Sequence, residues 1–437
     1  MLNVEDNDIL CRVGPGTPMG NLLRRYWMPA LLSSELPAPD CPPIRVRLLA
    51  EDLIAFRQKD GRVGLVANSC PHRGASLFFG RNEENGLRCV YHGWKFDCEG
   101  ACTDMPSEPA ESNFRTKVRA NAYPTVEKGA VVWCYMGPQE TMTSFRDFIG
   151  ANLGSYRWRS NKTLSQCNWV QGLEGNLDTA HISFLHRNLA DFVVEPDETD
   201  LPGYPSNSMT TVIRGRDQAP CIEIQDTWYG FRYAGLRDTP RGYVHARVTD
   251  FVMPFMAYIA TIPVGGDNCL MMVPIDDDNY WRWGFATKPA TIVPGRDSPA
   301  ANAMGPGARS PGGPAQLDPN RPRPNKGNDF LIDRAAQRSR SFTGIQGIGQ
   351  QDMAVTESMG DVYDRSREHL GTTDASIIHM RRMLIKAAKD LVAGIQPSAL
   401  TGDFASIRSA EKILAPGEDW RALGTVADSV LAAAAVG

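Results

Sequence analysis

Short runs of alternating or clustered apolar residues dominate the first third of the chain. Between Ile44 and about Met136 they include IRVRLLA, LIAFRQ, RVGLVA, LRCVYHGWKF and AVVWCYM, with pairs such as Asp60-Gly61 and Asn85-Gly86 between them. Runs of this length bounded by Gly, Asp and Asn predict strands joined by tight turns, and so a small all-β domain. Ahead of it, GPGTPMGNLLRRYW from Gly14 to Trp27 predicts a Gly/Pro turn and a short amphipathic helix within an N-terminal arm. The period changes after Asn168, where Val170, Leu173, Leu177, Ala180 and Phe184 fall three or four apart, the spacing of one helical face. Strand-like runs return with CIEIQDTWYGFRYAGL, YVHARVTDFVMPFMAYIATI and CLMMVPIDDDNYWRWGFAT, the last folded about its DDDN turn. Helical spacing returns at Ile377 to Ile395 and again towards the C-terminus, while residues 296–327, rich in Pro and Gly, predict a long irregular excursion. There is no internal repeat. The expected organisation is α+β: an arm over 1–25, an all-β domain over 26–138, and a mixed domain about twice as long over 139–437.

Composition narrows the class of partner. With 437 residues, 42% hydrophobic and 22% charged, the chain has the interior and balance of a globular protein. Lys and Arg number 46 against 50 Asp and Glu, a net charge of -4, so nothing favours binding to a nucleic-acid backbone. The start, MLNVEDNDIL, is acidic and unlike a signal peptide; no stretch offers eighteen uncharged apolar residues, and the tail from Val430 to Val436 is too short to span a bilayer. The expectation is a soluble, cytoplasmic protein with no membrane partner. Ten cysteines at this length read as thiols or metal ligands rather than disulfides. Of the seven histidines, four fall in two tight local patterns.

The first pattern is Cys70-Pro-His72 and, after sixteen intervening residues, Cys89-Val-Tyr-His92. Two hairpin loops thus present two thiols and two imidazoles, a set that a structural zinc ion can also use. Arg73-Gly74-Ala75 follows the first pair and Gly93-Trp94 the second, so glycines allow close backbone approach and Trp94 can shield one side. Cys98, Cys102 and Cys134 fit no pairing pattern and read as small buried thiols. The second pattern, Asn176-Leu-Asp178-Thr-Ala-His181-Ile-Ser-Phe-Leu-His186, places Asp178 one helical turn before His181. Positions five apart on a regular helix diverge by about 140°. His181 and His186 can therefore meet one ion only if the helix bends, bulges or ends between them. Two histidines and one carboxylate are the usual ligands of a non-haem iron(II) oxygenase, with further positions left open. His245, His369 and His379 have no such company and read as structural.

C-x-H followed by C-x-x-H resembles the Rieske iron–sulfur motif. GNLDTAHISFLH resembles the mononuclear-iron motif of the Rieske oxygenases, and looks most like the phthalate dioxygenase type. The resemblance extends over nearly the whole chain through Asn328-Asp-Phe-Leu-Ile-Asp-Arg, Gln351-Asp352-Met-Ala-Val-Thr-Glu357-Ser-Met-Gly and Asp364-Arg-Ser-Arg-Glu-His-Leu. It implies a Rieske β domain followed by a helix-grip catalytic domain, an antiparallel sheet with helices. It implies a [2Fe-2S] cluster with Cys70 and Cys89 on one iron and His72 and His92 on the other. It implies a mononuclear Fe(II) held by His181, His186 and Asp352, although Asp352 read alone is an Asp near a helix start. Asp178 would bridge a histidine ligand to a Rieske histidine of the adjacent subunit, which requires a homotrimer or a hexamer of two trimers. Electrons would come from a separate NAD(P)H-dependent flavin/iron–sulfur reductase, and the chain shows no Gly-rich dinucleotide fingerprint after a strand.

On the strand expected over Val244 to Phe255, His245, Arg247, Thr249 and Phe251 share one face, and Val244, Ala246 and Val248 the other. Arg247 can clamp a carboxylate, as arginines do in phthalate dioxygenases, or can simply support the sheet. No second arginine clamp is evident, which favours a monocarboxylate over phthalate. The function implied is the oxygenase component of a two-component dioxygenase that hydroxylates a phthalate- or benzoate-like aromatic carboxylate with O2, in aromatic catabolism. An O-demethylating or aryl-ether-cleaving monooxygenase would use the same metals. A non-catalytic Rieske electron carrier would have no use for a second domain of roughly 300 residues bearing a His/His/Asp set.

Overall fold

Helix α1 (Val4–Cys11) opens the chain, and α2 (Pro18–Leu23) follows the Gly/Pro turn as its sequence predicts. Pro18 starts α2, and the Thr17 hydroxyl accepts the Gly20 N–H at 3.1 Å, supplying the N-cap. The computed structural model describes residues 2–109, 111–145, 156–189, 207–260, 268–289, 322–397, 404, 407 and 409–424. Most of the excursion expected at 296–327, and the stretch from Val430 to Val436, lie outside the described residues. The chain divides into one unit of Arg12–Phe145 with Val273–Asp277, and another of Met1–Cys11, Arg146–Met272 and Asp278–Gly437.

The first unit carries ten short strands: β1 (Met28–Leu32), β2 (Ile44–Leu48), β3 (Glu51–Arg57), β4 (Val63–Ala67), β5 (Arg81–Glu83), β6 (Gly86–Arg88), β7 (Lys95–Phe96), β8 (Cys102–Asp104), β9 (Thr125–Lys128) and β10 (Val131–Cys134). They form three antiparallel sheets, β1-β10-β9, β2-β3-β4 and β5-β6-β7-β8. Ile54, Phe56, Val66, Leu77, Leu87 and Phe96 pack around Cys70 and Cys89, so the two Cys/His loops stand on an apolar floor. The β5–β6 turn lies one residue earlier than its Asn-Gly pair suggests, on Glu84 and Asn85, whose φ values are +50° and +58°. Gly86 is needed inside β6 instead, because a Cβ there would come to 2.9 Å from Lys95 Cγ.

The second unit is built on β11 (Tyr156–Ser165), α3 (Trp169–Leu177), α4 (Asn207–Arg216), β12 (Cys221–Asp226), β13 (Gly230–Asp238), β14 (Val244–Val252), β15 (Met256–Ile259), β16 (Asn268–Pro274), β17 (Tyr280–Pro289), α5 (Arg334–Ser339), α6 (Ile348–Ser358), α7 (Ala375–Val392) and β18 (Glu411–Leu414). The sheet order is β11-β17-β16-β15-β14-β13-β12, with β18 added beside β14. Strand β15 covers only Thr249 to Val252 of β14, and β18 completes the remaining edge from Val244 to Arg247. Among the described residues near the C-terminus, Glu411–Leu414 is a strand followed by a single turn at Trp420–Ala422, and the rest of the stretch expected to be helical, 425–437, lies outside the described residues. One face of β13 and β14 is an apolar core of Ala234, Ala246, Val248, Leu414, Trp420 and Leu423. The other face holds polar residues out of water, and the expected strand to Phe255 ends at Val252.

Helix α7 closes on the sheet, where His379 Nε2 lies 2.6 Å from Asp226 Oδ1 and its ring stands edge-on to Phe231. Glu174 on α3 receives Arg365 at 2.8 and 2.9 Å and Arg381 of α7 at 2.7 Å, a buried network that fixes the helices against each other. Helix α3 stops at Leu177, short of Ala180 and Phe184. Asp178 is extended, and its Oδ1 takes the N–H groups of Ala180 at 2.7 Å and His181 at 3.3 Å, which draws the backbone out of the helix. Among the described residues no helix is long and apolar enough to cross a membrane.

Candidate active site

The two loops of the first unit are built alike. Cys70 N–H donates to Ala75 O at 2.8 Å and Gly74 N–H returns to Cys70 O at 2.9 Å; Cys89 N–H donates to Trp94 O at 2.8 Å and Gly93 N–H returns to Cys89 O at 3.0 Å. Gly74 and Gly93 have φ of +75° and +77°, and a Cβ on Gly93 would strike Pro106 at 2.7 Å. These turns bury Cys70 and Cys89 and bring the rings of His72 and His92 edge to face at 4.4 Å. Trp94 stacks on His72 at 4.3 Å and donates its Nε1–H to Ser107.

Burial, with the adjacent Cys89 thiol adding to it, pushes the Cys70 thiol up to about 11. A thiolate here needs a cationic centre beside it. Sulfur faces sulfur and imidazole faces imidazole, yet the four donors do not converge on one point. Among the described residues, the group of three or more His, Cys, Asp or Glu donors found within 4.8 Å of one another is a different one. A tetrahedral zinc ion would draw all four ligand atoms to within about 4 Å of each other. Two irons sharing the set in pairs fit this arrangement.

That convergent group is His181, His186 and Asp352. The chain leaves α3 at Asp178, makes a single turn at His181–Ser183 and bends back, so neither histidine sits on the regular helix that would have separated them. Helix α6 brings Asp352 from a distant part of the sequence. His181 Nε2 and His186 Nε2 are 3.2 Å apart, and Asp352 Oδ1 lies 3.1 Å from His186 Nε2 and 3.7 Å from His181 Nε2. Burial would raise the Asp352 carboxyl, but His186 and His181 outweigh it and hold it below the ordinary carboxylate range. Two imidazole nitrogens and one carboxylate oxygen converging at these distances form a donor set that fits one metal ion with other positions open. Behind the ligands, Asp178 Oδ2 lies 3.4 Å from His181 Nδ1, and Gln351 Oε1 lies 2.7 Å from His186 Nδ1. Asp178 is likewise held low, because its bonds to His181 and to the Ala180 N–H outweigh its burial.

Next to this turn is a cationic face that is only partly legible in the sequence. Strand register sets Arg247 opposite Gly235 of β13 and Glu411 of β18, and sets His245 opposite Arg237. Arg214 of α4 donates to Glu411 Oε1 at 2.8 Å, His245 Nε2 lies 2.8 Å from the same oxygen, and Arg247 Nε lies 3.8 Å from Oε2. The sequence shows no second arginine near Arg247; the structure supplies two, Arg214 and Arg237, because pairing register and the placement of α4 are not local properties. Asp217, the other nearby carboxylate, is turned to the backbone N–H groups of Ala219 and Asp238. Three guanidinium groups thus face mainly one carboxylate. Burial, with Arg214 and Arg247 adding to it, brings Arg237 down to about 10. Burial opposes ionisation of Glu411, but His245, Arg214 and Arg247 together hold it at about 2. Arg214 Nε, Arg237 Nη1 and Arg247 Nε are buried without a hydrogen-bond acceptor among the described residues, an arrangement that suits an incoming anion.

Comparison with known proteins bears on both units. Residues 26–124 match the Rieske [2Fe-2S] domain family, and residues 134–436 match the family described as LigXa C-terminal domain like. The sequence is 39% identical over 432 residues, 96% of this chain and 94% of the relative, to the phthalate 4,5-dioxygenase oxygenase subunit of Pseudomonas putida. It is 38% identical over 407 residues, 89% of each chain, to the 3-chlorobenzoate-3,4-dioxygenase oxygenase subunit of Comamonas testosteroni. A crystal structure of dicamba monooxygenase bound to dicamba has the same fold, with a TM-score of 0.56 at 17% identity over 86% of this chain and 99% of that one.

Proposed function

The chain belongs to the Rieske non-haem iron oxygenases, with a [2Fe-2S] cluster and a mononuclear iron as cofactors, and we propose that it hydroxylates a phthalate- or benzoate-like aromatic carboxylate in aromatic catabolism. Cys70 and Cys89 hold one iron of the cluster and His72 and His92 the other, while His181, His186 and Asp352 hold the mononuclear iron. Bound there, a cluster would supply one-electron transfer and a mononuclear iron would supply O2 activation. Adding both atoms of O2 to a ring consumes two electrons and two protons, so a partner must deliver reducing equivalents. We assign that task to an NAD(P)H-dependent flavin/iron–sulfur reductase.

The observation that carries this reading is the tie between the metal-ligand turn and the cationic face: Arg237 Nη2 donates to Thr179 O, between Asp178 and His181, at 2.8 Å. A carboxylate entering an apolar pocket loses its hydration and must be met by donors. Arg247, with Arg214 and Arg237, offers them at one end of the site, and three arginines remove the objection to a dicarboxylate. The relatives named as phthalate 4,5-dioxygenase and 3-chlorobenzoate-3,4-dioxygenase oxygenase subunits are both named for an aromatic acid. To Asp178, a quarter of whose side chain is exposed, we assign the pairing with a Rieske histidine of a second copy, in a trimer or a hexamer of two trimers, and we assign the protein to the cytoplasm.

The test is product analysis under 18O2 with a reductase, using benzoates, phthalate isomers, their amides and methoxybenzoates. The expected outcome is a dihydroxylated acid carrying two labelled atoms. Formaldehyde release from a methoxybenzoate alone would move the assignment to O-demethylation, and turnover of neutral arenes in preference to acids would overturn the carboxylate reading.

A further inference from the structure

Gln351 does more than precede a ligand in sequence. Its side chain is buried on the first turns of α6, where Nε2 donates to Ile345 O at 2.8 Å and Oε1 lies 2.7 Å from His186 Nδ1. A backbone carbonyl can only accept, so the amide nitrogen must face Ile345 and the amide oxygen must face His186. An amide oxygen can only accept in turn, so His186 Nδ1 carries the proton and its Nε2 lone pair is left free. That Nε2 is the atom 3.1 Å from Asp352 Oδ1 and 3.2 Å from His181 Nε2.

We propose that Gln351 is the positioning residue of His186, fixing its tautomer and ring orientation for metal binding through a relay anchored on the Ile345 carbonyl. This rests on the reading that His181, His186 and Asp352 hold the mononuclear iron. The two histidines are then held by unlike partners: His181 by the ionised carboxylate of Asp178, and His186 by a neutral amide within the same helix that supplies Asp352. The turn of α6 that contributes one ligand therefore also aims another. Asp178 remains free to couple His181 to its surroundings, while the Gln351 relay keeps His186 fixed.

The experiment measures Fe(II) and Co(II) binding to the mononuclear site of the full-length protein by chelator competition, together with the ligand-field spectrum of the Co(II)-loaded site. Gln351→Leu removes the acceptor at similar size, and is expected to weaken metal binding by about 10- to 100-fold and to shift the Co(II) bands. Gln351→Glu keeps an oxygen towards Nδ1 and is expected to recover a substantial part of the affinity and the wild-type spectrum. Unchanged affinity and spectrum in Gln351→Leu, or equal losses in the Leu and Glu variants, would overturn the proposal. Asp352→Ala in parallel separates the two levels. If it also retains the metal, the ligand assignment fails and this inference with it; if it loses the metal while Gln351→Leu does not, the role of Gln351 alone fails. An unaltered Rieske visible spectrum in every variant shows that the chain has folded and loaded its cluster.

Discussion

Arg237 reaches across from β13 to the backbone of Thr179, and its Nη2–H bonds the Thr179 carbonyl at 2.8 Å while its Nη1 has no acceptor among the described residues. One side of this guanidinium therefore holds the turn that carries Asp178 and His181, and the other faces the arginine cluster. A substrate anion bound there sits at a distance from the metal that the protein backbone sets, and the orientation of the ring follows from where its carboxylate is held.

Arg247 and Arg214 should consequently read the substrate charge. A hydrogen bond to a charged group contributes about 1.5 to 3 kcal/mol, or roughly a tenfold to hundredfold change in affinity. Arg247→Met and Arg214→Met are each expected to weaken binding of the carboxylate substrate by that factor, and to leave the neutral amide analogue much less affected. Calorimetric titration of acid and amide against the three proteins decides it. Equal losses for the two ligands would mean that these arginines only support the sheet.

The contact between β13 and the ligand turn leaves no room for a side chain at Gly235, where a Cβ would lie 2.6 Å from Thr179 Cγ2. Thr179 is β-branched and buried, so the strain passes to the backbone of the turn. Gly235→Ala should cost about 1 to 3 kcal/mol as an overpacked core site. It should lower mononuclear-iron occupancy without altering the Rieske spectrum. Metal analysis beside the visible spectrum tests this, and full iron content in the variant would show that the turn yields freely.

The candidate pairs were legible because each is local: Cys70 with His72, Cys89 with His92, and His181 with His186 stand out by residue type and closeness, although spacing alone left zinc open for the first four and a regular helix would have parted the last two. Asp352 came only from resemblance, since 166 positions separate it from His186 and nothing in its own helix marks it out. The fold class followed from the change of hydrophobic period after Asn168. The end of α3 did not, because apolar spacing continues to Phe184 while the Asp178 side chain captures the backbone N–H groups that would extend the helix. Arg214, Arg237 and Glu411 stayed hidden for another reason. Their meeting depends on which strands pair and in what register, and an Arg on a strand looks the same whether it faces water or a buried anion site.

Burial of His245 beside Glu411 gives the stability a pH dependence with a definite sign. His245 is held below its ordinary value, first by burial, against which the bond to Glu411 pulls upward. The unfolded chain therefore takes up a proton near pH 6.5 that the folded chain refuses, and stability falls as pH drops below that point. Glu411, held at about 2, adds stability that is complete above 4.5 and is lost as pH falls towards 2. The thermal midpoint should decline from pH 7.5 to pH 5 and more steeply below 4.5. His245→Gln, which keeps a donor for Glu411 but cannot titrate, should flatten the upper part. An unchanged slope between pH 5 and 7.5 in that variant would assign it to other groups.

The two metal sites should fail independently. Cys89→Ala removes a buried cluster ligand and should abolish the Rieske spectrum while leaving mononuclear iron bound, whereas His186→Ala should do the reverse; both should end product formation. His92→Cys, by placing a thiolate where an imidazole stood, should retain a cluster-like chromophore at a lower potential. Wild-type protein that stays colourless after anaerobic reconstitution with iron and sulfide would exclude the cluster assignment.

The proposed role of Asp178 ties the ligand turn to assembly. Its Oδ1 shapes the turn through the Ala180 N–H, and its Oδ2 faces His181 Nδ1. Asp178→Asn retains the acceptor that shapes the turn and loses the charge, so both metals and the oligomer should survive. If the carboxylate links a Rieske histidine of one subunit to the mononuclear site of the next, each subunit must present its first unit to its neighbour's second. Such head-to-tail contacts close into rings. Sedimentation should then find a trimer or a hexamer. Rapid mixing of the reduced variant with O2 and substrate should show the Rieske chromophore reoxidising roughly 10- to 100-fold more slowly than in the wild type. A fully active monomer, or wild-type reoxidation in Asp178→Asn, would place the electron path elsewhere.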